Sequence, residues 1–228
     1  SVPLADAHAS LGALRESAPE TWRLSMSDEI HPNLRGHRRL AETILAVIEG
    51  KEVALSDAEP VPAPLSFTLA KLQKNLPVKV LAMPPFDGLV AEAIAAVHPG
   101  ANVTVMPWPT EGMNRYTLMK DASHRVRPLT PDLVIIAVPR AATAKDTEEF
   151  IRTQMWIASN SLSRGPREWD VIVVHPEVFE GPPSDGEKAH DQLMREIVPA
   201  QDLPLIDRRD QREAAETLRE WLANAATP

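Results

Sequence analysis

The residues best spaced for chemistry lie in Asp28-Glu29-Ile30-His31-Pro32-Asn33, followed by Gly36-His37. Asp28 and His31 are three positions apart, and a proline and a predicted helix follow them. A carboxylate beside an imidazole orients the ring and stabilises its protonated form. Such a pair lets the ring act as general base for a hydroxyl nucleophile. Other residues carry less. Ser159, Ser161 and Ser163 cluster at a predicted helix end, where a solvated turn is the ordinary reading. Asp87 reads as a helix N-terminal carboxylate favoured by the dipole. His98, His124, His175 and His190 are scattered without metal-ligand spacing, so no metal site is expected. There is no Gly-x-Gly-x-x-Gly and no Walker loop, so no nucleotide cofactor is expected either. Trp108, Trp156, Trp169 and Trp221 are either sugar-stacking platforms or core residues, and the core reading weighs more.

Two pieces must position these residues. Glu59-Pro60-Val61-Pro62-Ala63-Pro64 alternates proline and reads as a semi-rigid, extended linker over 59–65. It separates residues 1–58 from 66–228. In the first piece, Val2–Ala5 reads as a strand and Ala7 to Glu16 as a helix. A loop over Ser25–Pro32 leads to a helix from Arg35 to Ile48, with Leu40, Ile44, Val47 and Ile48 on one face. One strand and two helices in under ~60 residues are too little to close a core. This piece is expected to pack against the second piece, another copy, or an upstream segment.

The second piece alternates strand and helix. Strands are predicted at Val78–Met83, Asn102–Met106, Leu133–Val138, Asp170–Val174 and Leu203–Ile206. Helices are predicted at Asp87 to Val97, Met113 to Arg125, Thr143 to Ser161, Gly186 to Ile197 and Gln211 to Ala223. Continuous apolar runs such as Leu-Val-Ile-Ile-Ala-Val suit strands buried on both faces. The expected fold class is therefore α/β: a three-layer, flavodoxin-like parallel sheet of five strands, Leu133–Val138 central. Pro3-Leu4-Ala5-Asp6 and Pro204-Leu205-Ile206-Asp207 match at an offset of 201, each before a helix. The chain thus reads as the last strand and helices of one α/β unit, then a second whole unit.

At Asp28, His31, Pro32, Asn33, Gly36 and His37 the sequence resembles the SGNH (GDSL-type) hydrolases, whose last block is Asp-x-x-His-Pro-Asn, then Gly-(His/Tyr), before the terminal helix. The preceding Leu4-Ala5-Asp6 resembles the family's strand ending in Asp. The resemblance implies ester hydrolysis through an acyl-serine, on a small ester or an acyl ester of a carbohydrate. It assigns Asp28 to orienting and His31 to general base, and gives His37 a structural role at the helix start. The family's Gly-Asp-Ser nucleophile would then lie upstream of Ser1, and the chain would be a fragment. In the second piece, Phe86 stands in the nucleophile slot, Gly112 in that of the second-block glycine, and Ala141 in that of the oxyanion Asn. Pro131-Asp132-Leu133-Val134 resembles the family's third-strand start, but no Asp-x-x-His follows Asp207. The implied alternative to an esterase is an inactive SGNH-like unit that binds or supports.

Composition narrows the classes. The 228 residues carry 24 Lys and Arg against 32 Asp and Glu, a net charge of −8. The first 59 residues hold 6 basic and 10 acidic, the rest 18 and 22, so no basic arm is hidden. A nucleic-acid partner is not expected. There is no cysteine, which removes disulfides, thiol nucleophiles and thiolate metal sites without fixing a compartment. No apolar run reaches the length of a membrane span.

Overall fold

The computed structural model describes residues 3–28, 30–55, 65–163, 169–208, 210 and 212–226. The proline-rich linker expected at 59–65 lies, all but residue 65, outside them. The chain divides into two compact units. One comprises Ser1–Val61 with Ala200–Asp202; the other comprises Pro62–Pro199 with Leu203–Pro228.

The larger unit is an α/β fold. Its strands are β1 (Val78–Ala82), β2 (Val103–Pro107), β3 (Leu133–Ile136), β4 (Asp170–Val174) and β5 (Leu205–Ile206). All pair in parallel, in the order β2-β1-β3-β4-β5. That is the flavodoxin-like order, with β3 at the centre. Every residue of β3 and β4 is buried, which is what their unbroken apolar runs require. The edge strand β2 mixes half-buried and exposed positions and has no buried residue.

The helices are α4 (Ser66–Gln73), α5 (Phe86–Val97), α6 (Arg115–Leu129), α7 (Thr147–Ser161), α8 (Glu177–Glu180), α9 (Lys188–Ala200) and α10 (Ala214–Ala225). The crossover from β1 to β2 runs opposite to that from β2 to β3. Right-handed connections therefore place α5 and α6 on opposite faces. α5 packs with α10, and α6 with α7, giving three layers.

Several boundaries differ from expectation. β3 stops at Ile136, because the Ala137 N–H turns to the Met83 sulfur at 3.3 Å. α7 begins at Thr147, four residues late, because Asp146 caps it by accepting from Glu149 N at 2.8 Å. α4 and α8 were not expected. α4 is tied to the N-terminal ends of the strands. Thr68 N–H donates to Asp170 Oδ2 at 2.7 Å and its hydroxyl to the Asp132 carbonyl at 3.1 Å. Asp132 Oδ2 accepts from Lys71 Nζ at 2.7 Å and from Lys79 N at 2.8 Å.

The smaller unit holds α1 (Ala7–Ser17), α2 (Pro19–Leu24) and α3 (Leu34–Glu49). Residues 3–5 are not a strand, contrary to expectation: among the described residues no strand pairs with them, and Leu4 is exposed. An unpaired extended segment leaves its backbone groups to water. The match at 204–207 is therefore not reproduced structurally. Leu205–Ile206 is a sheet strand, whereas Asp6 caps α1 through Ala9 N at 2.8 Å. α3 buries only Gly36, and its apolar face is largely open, with Ile44 and Ile48 exposed.

Candidate active site

The loop between α2 and α3 brings Asp28 and His31 together. Asp28 Oδ1 accepts from Ile30 N at 2.9 Å and His31 N at 2.8 Å, which closes a tight turn. Its other oxygen, Oδ2, lies 2.7 Å from His31 Nδ1. The carboxylate is buried, while the imidazole is 69% exposed. Burial pushes the Asp28 carboxyl up, but the Ile30 N–H, the His31 ring and the His31 N–H together hold it below its ordinary value. An ionised Asp28 fixes Nδ1 as the protonated nitrogen and leaves Nε2 for proton transfer.

The rest of the motif builds this loop. Ser27 N–H donates to the His31 carbonyl at 2.8 Å, and Met26 bridges Pro32 antiparallel. Asn33 works at both ends. Its Nδ2 donates to the Leu24 carbonyl at 2.7 Å, and its Oδ1 accepts from Gly36 N at 3.2 Å, capping α3. Gly36 is dictated by close approach. A Cβ there would lie 2.3 Å from the Ser25 carbonyl oxygen and 2.6 Å from Pro32 Cβ. His37 is exposed in the first turn of α3, and the side-chain cap there comes from Asn33.

The larger-unit residues singled out by the resemblance are placed as follows. Phe86 is fully buried and meets Phe179 edge-on, ring centroids 5.7 Å apart. Ala141 is exposed in the loop after β3, and Gly112 adopts φ +70 in a turn before α6. Asp87 lies in the first turn of α5. Of the serines at the end of α7, Ser161 is buried with its hydroxyl donating to the Ile157 carbonyl at 2.7 Å. Trp108 and Trp169 are core residues, bonded through Nε1 to Asp121 and to the Ser161 carbonyl, and are unavailable for stacking on a sugar.

One cluster was not read from the sequence. His175 at the end of β4, Glu177, and Asp207 at the end of β5 have ligand atoms within 4.8 Å of one another. A guanidinium already lies among them. Arg195 donates to Glu177 Oε2 and to Asp207 Oδ2 at 2.8 Å, and its Nη2 is 3.5 Å from His175 Nδ1. His175 Nε2 is 3.0 Å from the Asp191 carbonyl, and Nδ1 is 3.2 Å from Glu177 N–H. These partners suit a neutral ring protonated on Nε2. Burial pushes His175 down, keeping it neutral, with the Arg195 charge acting the same way against Asp191 and Asp207. The cation among these groups is Arg195, paired with both carboxylates. Spacing could not reveal the cluster, because β4 and β5 bring Asp207 to His175 and Glu177, 32 and 30 positions away.

Among the described residues no helix is long and apolar enough to cross a membrane. No protein-family profile matches this chain, and no curated protein matches it.

Proposed function

We propose that Asp28 and His31 are the acid–base half of an SGNH-type serine esterase site, whose nucleophilic serine comes from outside these 228 residues. The observation that carries this reading is the 2.7 Å contact between a buried Asp28 carboxylate and Nδ1 of an exposed His31. In this mechanism His31 Nε2 takes the proton of the serine hydroxyl as its oxygen attacks the acyl carbon. His31 then gives that proton to the departing alcohol, and water, activated in the same way, releases the acid. Asp28 stays ionised throughout and stabilises the imidazolium. The substrate class is a small acyl ester, including acetyl esters of carbohydrates. The open apolar face of α3 supports a missing neighbour, since Ile44 and Ile48 would be covered by the segment that brings the serine.

In this reading the larger unit is a catalytically inactive SGNH-like unit. The buried Phe86 and the exposed Ala141 in the template slots favour it. The test is turnover of p-nitrophenyl acetate and labelling by a fluorophosphonate. The 228-residue chain is expected to show neither. A longer product of the same gene, reaching the upstream serine, is expected to show both and to lose turnover on His31→Ala, typically by ~10⁴–10⁶. Labelling of the 228-residue chain itself at a serine, lost on His31→Ala, would overturn the assignment.

A further inference from the structure

Arg115, the first residue of α6, is 3% exposed, which is rare for a guanidinium without a carboxylate partner. Its one side-chain hydrogen bond among the described residues runs from Nη1 to Gln154 Oε1 at 2.8 Å. Its Cζ sits 3.8 Å above the centroid of the Phe150 ring. A guanidinium has five N–H donors, so most of those on Arg115 have no acceptor among the described residues. Nearby Arg140 shows the contrast, with a bidentate pair to Asp191 at 2.7 and 3.2 Å. Asp191 is thus already committed to another cation.

Arg115 borders a cavity of about 190 Å³ at the C-terminal end of the sheet, the end where ligands bind in open α/β folds. The cavity lies between the loop after β3, the first turn of α6 and the face of α9. Much of its wall is carbon, from Ala142, Ala144, Phe150, Pro176 and Met194. Its rim is tied together: Arg115 N–H donates to the Thr143 carbonyl at 3.2 Å, and the His190 ring stacks on Phe150 at 4.3 Å and 5°. We propose that this cavity binds a small organic carboxylate, its anionic end bonded to the free donors of Arg115 and its apolar body against the carbon wall.

The charges select a monoanion. One unpaired guanidinium matches one carboxylate fork to fork. Arg140, Glu187 and Asp191 also line the cavity, so beyond Arg115 its wall carries no surplus positive charge for a dianion such as phosphate. Burial lowers Arg115 to about 9, partly countered by Asp191, so it remains charged at neutral pH. A desolvated cation without a partner lacks what an incoming carboxylate supplies. The proposal does not depend on the reading of Asp28 and His31.

Calorimetric titration of the 228-residue chain with benzoate tests it, with benzamide as the neutral control. Benzoate is expected to bind saturably and at least about tenfold more tightly than benzamide, shifting the backbone amides of Ala142, Thr143 and Ala144. Arg115→Met should fold with at least the wild-type melting temperature and lose benzoate binding by about tenfold or more. Arg115→Lys should fall between them, because it keeps the charge but not the fork. Equal binding of benzoate and benzamide, no saturation at millimolar benzoate, or tighter binding of inorganic phosphate would each overturn the proposal. So would full benzoate affinity in Arg115→Met. Should Arg115→Met not fold, the benzoate–benzamide comparison on the wild type decides alone.

Discussion

Replacing Gly36 by alanine perturbs a place where the Asp28–His31 loop closely approaches α3. The added Cβ would lie 2.3 Å from a backbone oxygen, that of Ser25, and 2.6 Å from Pro32 Cβ. Neither is the far end of a flexible side chain, so the loop must move. Overpacking of this kind costs about 1–3 kcal/mol. The shift also breaks the cap between Asn33 Oδ1 and Gly36 N, at a cost of about 1 kcal/mol. Alanine's better helix propensity returns about 1 kcal/mol. The net destabilisation of the smaller unit is about 1–3 kcal/mol. Gly12→Ala in α1 is the control, because a Cβ there meets nothing within 4 Å. It should stabilise the same unit by up to about 1 kcal/mol. The assay is urea unfolding of 5-fluorotryptophan-labelled protein followed by ¹⁹F NMR. Trp22 is the one tryptophan of the smaller unit, so its resonance isolates that unit's transition. An unchanged Trp22 midpoint in Gly36→Ala would refute the close-approach argument.

Two further outcomes follow from the same structure. The lowered Asp28 carboxyl binds its proton more weakly when native than when unfolded, so its contribution is present above the unfolded value of ~4 and fades as pH falls through the native one. The stability gap between wild type and Asp28→Asn should be widest near neutrality and close in acid; a gap that is constant with pH contradicts this. Phe86→Ala removes a fully buried ring from beside Phe179 and should cost the larger unit about 3–5 kcal/mol in chemical denaturation. A cost below about 1 kcal/mol would mean that the slot collapses freely.

The sheet was legible because apolar runs are a local signal. Leu133–Ile136 and Asp170–Val174 are buried on both faces and read as such from composition alone. The Asp28–His31 pair was legible for the same reason, since both residues sit in one short loop. What escaped the sequence depends on distant partners. α4 has weak amphipathic patterning, and its anchors lie on Asp132 and Asp170. Arg115 and Gln154 are 39 residues apart, and nothing in either neighbourhood announces the other. Val2–Ala5 misled because a strand-like run signals a strand only where a sheet edge is available.

The anchoring of α4 bears on how the chain is made. Its hydrogen bonds join residues 61, 64 and 102 positions apart. On a ribosome α4 emerges early, but the carboxylate that receives Thr68 N–H appears only when β4 does. Contacts of such separation form slowly, because a long loop must close before they are rewarded. Until then α4, whose flanking Leu65 and own Leu72 are buried in the finished fold, has only β1 of the two strands it packs against, β1 and β4. The docking of α4 therefore marks the moment at which the nascent sheet has reached its fourth strand.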